Sequence, residues 1–188
     1  MNNNYKTNKQ TVSSQIVTTL VLILMLFSAF TTNAQVMGIK TIPGDYPDLA
    51  SALVDLNTNG VGIGGATINI ATGYTETAPV GGFSLGSPAL NASLSATNTL
   101  IIQKSGVGAS PLLTAYVGGV GTPGSAVQDG IFKIIGADYV TIDGIDLIEN
   151  VANTANPATM EYGYAMYKAS AIDGCQNNTI QNCVILLP

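Results

Sequence analysis

The carboxylates and tyrosines between residues 143 and 173 are the side chains with types and spacing suited to chemistry. Asp143 and Asp146 stand three residues apart, with Glu149 and Asp173 nearby. Two carboxylates facing one groove, about 5 to 9.5 Å apart, are what a glycoside hydrolase needs. Three residues of extended chain set Asp143 and Asp146 about 10 Å apart, less if Gly144 bends the backbone. A related segment further along carries Gln181 and Val184 in their places, so no acidic wall accumulates. These acids read as solvated surface groups, and no catalytic residue is assigned. Asp and Asn oxygens suit calcium, but Asp143-Gly-Ile-Asp146 is neither an EF-hand loop nor a glycine-rich nonapeptide. No metal and no cofactor is expected. Tyr162, Tyr164 and Tyr167 recur at spacings of two and three. Tyr162 and Tyr164 share a face if the segment is a strand. Such rings either stack on sugars or pack against the preceding loop. Asp143, Asp146, Tyr162 and Tyr164 are therefore the candidate ligand-binding residues, with a polysaccharide or cell-surface glycan as the ligand.

Composition narrows the remaining chemistry. The chain has no His, Trp or Arg, which removes the commonest metal ligand and general base and the usual carboxylate clamp. A β-eliminating lyase must neutralise a uronate, and the isolated Lys133 and Lys168 offer little for that task. The net charge is −5, and no arginine cluster exists to neutralise phosphates, so nucleic acid is excluded as a partner. Gly60-Val-Gly-Ile-Gly-Gly65 has the glycines of a dinucleotide loop but follows a helical pattern instead of preceding one, and the phosphate cradle needs strand, loop, then helix. Asn91-Ala-Ser93 and Asn177-Asn-Thr179 fit the N-glycosylation pattern, which matters only in a eukaryotic secretory host.

Residues 1–34 read as a secretory signal. Lys6 and Lys9 form the positive start, Ile16 to Phe30 the apolar run, and Thr32-Asn33-Ala34 a small-residue site before Gln35. Cleavage between Ala34 and Gln35 leaves four lysines against eleven acids, 4 − 11 = −7. The apolar run falls short of the roughly 20 residues that span a bilayer, so no membrane segment remains after processing. Export permits a disulfide. Cys175 and Cys183, eight residues apart, are held separate in extended chain unless a turn intervenes. Cys183 reads as a small buried hydrophobe on an inward position.

The elements that position these residues are strands and turns. One helix is expected, with Leu49, Ala52, Leu53 and Leu56 on one stripe, Pro47 in its first turn, Asp48 favourable to its dipole and Asn59-Gly60 as its stop. An extended, turn-rich entry, Ile39–Asp48, precedes it. Ala66–Ala71 and Tyr139–Asp143 alternate apolar and polar residues. Thr99–Ile102 and Ile131–Ile135 are apolar strands, and Tyr164–Ala169 is a further candidate. Gly60–Gly65, Gly81–Ser93, Gly118–Ser125 and Asn150–Thr159 read as loops.

A weak repeat organises them. Asp138-Tyr-Val-Thr-Ile-Asp-Gly-Ile-Asp-Leu-Ile148 aligns with Gln176-Asn-Asn-Thr-Ile-Gln-Asn-Cys-Val-Ile-Leu186 at an offset of 38 residues. Without the ten-residue Asn150–Thr159 insertion the period is about 28. Repetition at a fixed period signals stacked units that cannot bury their apolar faces alone. Alternation points Val140, Ile142, Ile145 and Leu147 inward, with Ile142 stacked on Ile180 and Leu147 on Ile185. A Greek-key sandwich also uses short alternating strands. The fold class expected is all-β, a right-handed parallel β-helix that is incomplete, opened by a short capping helix and running from residue 35 to 188. The last residues, Ile185-Leu-Leu-Pro188, lie on a strand with no second cap, so truncation or a partner at that end is expected.

The stretches Ile42–Ala50, Asp138–Asp146, Met160–Ala165 and Lys168–Ile180 carry a family resemblance. The chain resembles the N-terminal region of large secreted bacterial surface proteins with right-handed β-helix, pectin-lyase-like segments, often type IX secretion substrates. The resemblance covers roughly residues 40–186 and implies a secreted or cell-surface, adhesion-type module joined to remaining coils or downstream domains. A polysaccharide lyase or glycoside hydrolase of the same fold is the alternative it implies.

Overall fold

The computed structural model describes Val17, residues 34–119 and residues 129–188. The expected signal, with both lysines and nearly all its apolar run, lies outside the described residues, as does most of the Gly118–Ser125 loop. Among the described residues no helix is long and apolar enough to cross a membrane.

Residues 34–188 form one compact unit, mostly β, with two short helices. Strand β1 (Val36–Ile42) precedes helix α1 (Leu49–Asn59). Then come β2 (Val61–Ala71), β3 (Thr75–Thr77), β4 (Phe83–Leu85), helix α2 (Pro88–Ser93), β5 (Leu100–Ser105) and β6 (Leu112–Thr114). The remainder is β7 (Gly130–Ile135), β8 (Val140–Asp143), β9 (Asp146–Ile148), β10 (Tyr162–Tyr167), β11 (Thr179–Gln181) and β12 (Ile185–Leu186). The first sheet has the order β1-β2-β5-β8-β11, the second β3-β6-β9-β12, and the third β4-β7-β10. Every pairing between these strands is parallel. From β2 onward the chain visits the three sheets in rotation, so each circuit lays one strand beside its predecessor in every sheet. Parallel neighbours need such long crossovers because a tight turn can join only antiparallel strands.

Register carries like residues over like. In the first sheet Ile68, Ile102, Ile142 and Ile180 are consecutive partners. Leu113, Leu147 and Ile185 align in the second, and Leu85, Ile134 and Met166 in the third. The 38-residue offset of the sequence repeat is the register of β8 against β11, with Thr141 opposite Thr179. Residues from all three sheets and both helices belong to one apolar core, so each column is buried by its neighbours along the stack and across it. Phe83, Phe132 and Tyr164 form an aromatic column, with ring centroids 6.0 and 5.7 Å apart.

Helix α1 meets the end strand of each sheet. It packs on β1 and β4, and Glu76 of β3 accepts the Leu49 and Ala50 amides at 2.8 and 3.1 Å. Asp48 is its N-cap, accepting the Ser51 amide at 2.7 Å, so Pro47 lies before the cap and not in the first turn. Two acidic groups at a helix N-terminus satisfy its orphan amides and oppose its dipole. Leu49, Ala52, Leu53 and Leu56 are buried, and the Gly60 amide returns to the Leu56 carbonyl at 2.9 Å. Two loop expectations are corrected. Gly60–Gly65 largely becomes the start of β2: the Gly60 carbonyl accepts the Val36 amide at 3.0 Å and Val61 pairs with Val36, the register then shifts so that pairing resumes at Ala66, and the Gly64 amide donates to Asn98 Oδ1 at 3.0 Å. Gly81–Ser93 contains β4 and α2, the latter capped by Ser87 Oγ on the Leu90 amide and started by Pro88.

The bends stack as the strands do. Tyr139 and Asn177, 38 residues apart, have φ of 55° and 56°, and Gly144 and Asn182, also 38 apart, have 70° and 55°. Left-handed backbone suits Gly and Asn. Asn178 fastens adjacent circuits by accepting from the Val140 amide and donating to the Ala137 carbonyl, both at 2.8 Å.

Candidate functional site

The outer face of the first sheet presents polar side chains in register: Asn69, Gln103, Asp143 and Gln181 are consecutive partners. Neighbouring strands lie about 4.8 Å apart, close enough for these amides to bond one another. Gln103 Nε2 donates to Asn69 Oδ1 at 2.9 Å, and Gln181 Nε2 donates to Asp143 Oδ2 at 2.9 Å. Asn182 Nδ2 reaches the other Asp143 oxygen at 2.7 Å. These two amide bonds, aided by the Lys104 charge, hold the Asp143 carboxyl below the usual carboxylate range. A general acid at neutral pH needs the opposite shift. Asp143 is a charged crosspiece between β8 and β11. Asp146 does similar work, its Oδ1 accepting the Val184 amide at 2.8 Å.

The two tyrosines named from the sequence differ in setting. Tyr162 is 38% exposed. Tyr164 packs its ring on Phe132 and donates its hydroxyl to the Ile145 carbonyl at 2.8 Å. Burial pushes its phenol well above the ordinary value. Alternation puts both rings on one side of β10, but only Tyr162 presents its ring to solvent. Neither Cys175 nor Cys183 is in a disulfide. Both are half-buried. Cys175 Sγ lies 3.3 Å from the Tyr167 carbonyl and Cys183 Sγ 3.0 Å from that of Gln181.

Sequence reasoning missed a second carboxylate group, formed by Asp129, Glu149 and Glu161. Glu149 gathers the Asn150–Thr159 loop: Oε1 accepts from the Asn150 amide (2.9 Å) and Asn153 Nδ2 (2.8 Å), and Oε2 from the Met160 amide (2.6 Å). Glu161 Oε2 accepts the Asp129 amide at 2.6 Å, and Asp129 Oδ1 accepts the Tyr116 hydroxyl at 2.7 Å. Asn153, buried, donates to the Tyr116 carbonyl and accepts the Gly118 amide. These acids lie 12 and more residues apart in the chain, so no local spacing announces them. The polar character of the loop after β9 was the available signal. Among the described residues no group of three or more His, Cys, Asp or Glu is arranged to hold a metal ion.

An open cleft of about 340 Å³ lies where Ser87, Asn91, Ile135 and Asp173 approach one another. A second, of about 260 Å³, runs between α1 and β4 beside Leu53, Asn57 and Phe83. Neither contains Asp143, Asp146 or Tyr162. Comparison with protein-family models, with curated proteins and with solved structures gives no match for this chain.

Proposed function

We propose that the chain is a structural, adhesion-type module of a secreted or cell-surface protein, built as a right-handed parallel β-helix with α1 as its cap, and that it binds a polysaccharide or cell-surface glycan. The observation that carries this reading is the rotation of the chain through three parallel sheets with like residues in register. That arrangement makes a long, regular outer face whose hydroxyl, amide and carboxylate groups recur at the strand spacing. Thr141, Asp143, Thr179 and Gln181 lie on that face, and an extended sugar polymer offers hydroxyls to match. Asp143 is its anionic acceptor, while Asp146 on β9 of the second sheet and the exposed Tyr162 ring on β10 of the third are further candidate contacts around the stack. No reaction is assigned, since the depressed Asp143 carboxyl is bonded to two amides and suits anchoring better than proton transfer.

The test is retention on a panel of immobilised neutral and acidic polysaccharides, comparing the wild-type chain with Asp143→Ala and Tyr162→Ala. The reading expects retention on at least one polymer, weakened by either substitution while melting stays cooperative. Absence of retention on every polymer overturns it. Cleavage of a polymer, abolished by Asp143→Ala, would replace it with the lyase or hydrolase alternative.

A further inference from the structure

The compact unit begins at Ala34. Its first paired residue is Val36, whose amide donates to the Gly60 carbonyl at 3.0 Å. Gln35 lies between them, exposed and outside the strand. Among the described residues no hydrogen bond engages its side-chain amide. A Cβ at Gly62 would come 3.4 Å from Gln35 Cβ and 2.6 Å from Met37 Cε, so Gln35 lies over backbone left bare by a glycine. The expected export cut, after Thr32-Asn33-Ala34, falls at the edge of this unit and makes Gln35 the N-terminal residue.

An N-terminal glutamine holds an amine and a primary amide on one residue, separated by the atoms of a five-membered ring. Closure within a single residue avoids the entropy cost that separate reactants meet. The attacking amine must be unprotonated. An α-amine titrates at about 7.7 to 8.0, against about 10.4 for a lysine side chain, so a working fraction is free base at neutral pH. The neighbouring positions lack this chemistry. A cut one residue earlier exposes Ala34 and one residue later Val36, neither with a side-chain carbonyl.

We propose that Gln35 is a modification site of the exported chain, its side chain closing onto its own α-amine to give an N-terminal pyroglutamyl lactam. The α-nitrogen attacks Cδ. The N–Cδ bond forms, the Cδ–Nε2 bond breaks, and an amine proton leaves with Nε2 as ammonia. No electron is transferred and no co-reactant is consumed. The fold permits the step because every reacting atom belongs to one exposed, unpaired residue. The Val36 amide, which fastens the start of β1 to Gly60, belongs to the unchanged peptide bond between residues 35 and 36 and keeps its partner. The product has no N-terminal positive charge, and an aminopeptidase finds no free amine at the start of β1. This inference rests on the reading of the chain as an exported protein and is independent of glycan binding.

The test is to express the full precursor in a bacterium that exports it. The mature protein is then measured by intact mass and by fragmentation of its N-terminal peptide, at once and after incubation at neutral pH. The expected chain starts at residue 35 and is lighter by one ammonia than the uncyclised sequence. Gln35→Asn, whose shorter side chain would need a four-membered ring, should start at the same residue, keep its full mass and melt as the wild type does. Aminopeptidase should remove the first residue of that variant and none from the wild type. A wild-type start at residue 35 with full mass after incubation would overturn the proposal and leave the export reading standing. A start at any other residue, or an uncut chain, would overturn both.

Discussion

Truncating one isoleucine column at two heights separates a stacked core from a set of independent strands. Ile102 is fully buried between its partners Ile68 and Ile142. Ile102→Ala removes three carbon groups, at about 0.8 kcal/mol each, or about 2.4 kcal/mol of transfer free energy. Closed in above and below, the site cannot collapse fully. Roughly 75 Å³ of vacated space at about 24 cal/mol per Å³ adds up to about 1.8 kcal/mol. The total is about 4 kcal/mol, within the range of about 2 to 5 for such truncations. Ile185 finishes an equivalent column with 46% of its surface exposed. Only about half the transfer contribution applies there, and water fills the space, so Ile185→Ala should cost about 1 kcal/mol. Urea denaturation followed by circular dichroism reads both costs as midpoint shifts at constant slope. Equal costs at the two positions would refute the reasoning, because they would mean that Ile102 is not enclosed by its neighbours or that Ile185 is.

Other predictions follow from single contacts. Asn182→Ala should raise the Asp143 carboxyl toward its unperturbed value of about 3.9, seen by NMR titration of its side-chain carbon. Since folding depresses this acid, its contribution to stability is present above the unfolded value and is lost as pH falls through the folded one, so the wild type should lose that increment on acidification and the variant should lose less. Glu149→Ala removes the acceptor of two loop amides, and limited proteolysis should then cut first between Asn150 and Thr159, with the strands still protected. Glu76→Ala strips two amides of α1 of their acceptor and should cost about 1 to 2 kcal/mol by urea midpoint. Iodoacetamide under denaturing, non-reducing conditions should modify both Cys175 and Cys183. A mass lacking both adducts would contradict the free thiols.

Much of the strand framework was legible because period-two alternation and burial are one fact seen twice. Val140, Ile142, Ile145 and Leu147 were pointed inward from their spacing, and all four are buried. The 38-residue repeat located the β8–β11 register before any coordinate, since stacking like on like preserves residue type at matching positions. Strands β3, β4 and β6 were harder to see, since three residues hold too little pattern to exceed the noise of a turn. Pro88–Ser93 escaped notice because a helix of six residues among glycines shows no apolar stripe, only a serine cap and a proline. Glycines at 62, 64 and 65 read as a loop, yet they are a bulged stretch inside β2, flanked by pairs with β1 at Val61 and Ala66 and tied by the Gly64 amide to Asn98, tertiary contacts that local propensity does not carry. For the candidate site, the sequence placed Asp143 and Asp146 on the outer face but gave no sign of the amides that hold them. Those donors arrive from the next circuit, about 38 residues away. Tyr164 shows the same gap in reverse, since alternation fixes the side of the strand but not whether that side faces solvent.

The account depends on β8 and β11 lying side by side, parallel and in register. Replace Cys175 and Cys183 by serine and introduce cysteines at Thr141 and Thr179, which are direct partners. Adjacent strands bring their Cα atoms to about 5 Å, inside the span a disulfide bridges. Mild oxidation should join this pair in the folded protein, whereas the offset pair Asp143→Cys and Thr179→Cys should stay reduced. Ready bonding of the offset pair, or no bond between 141 and 179, would contradict it.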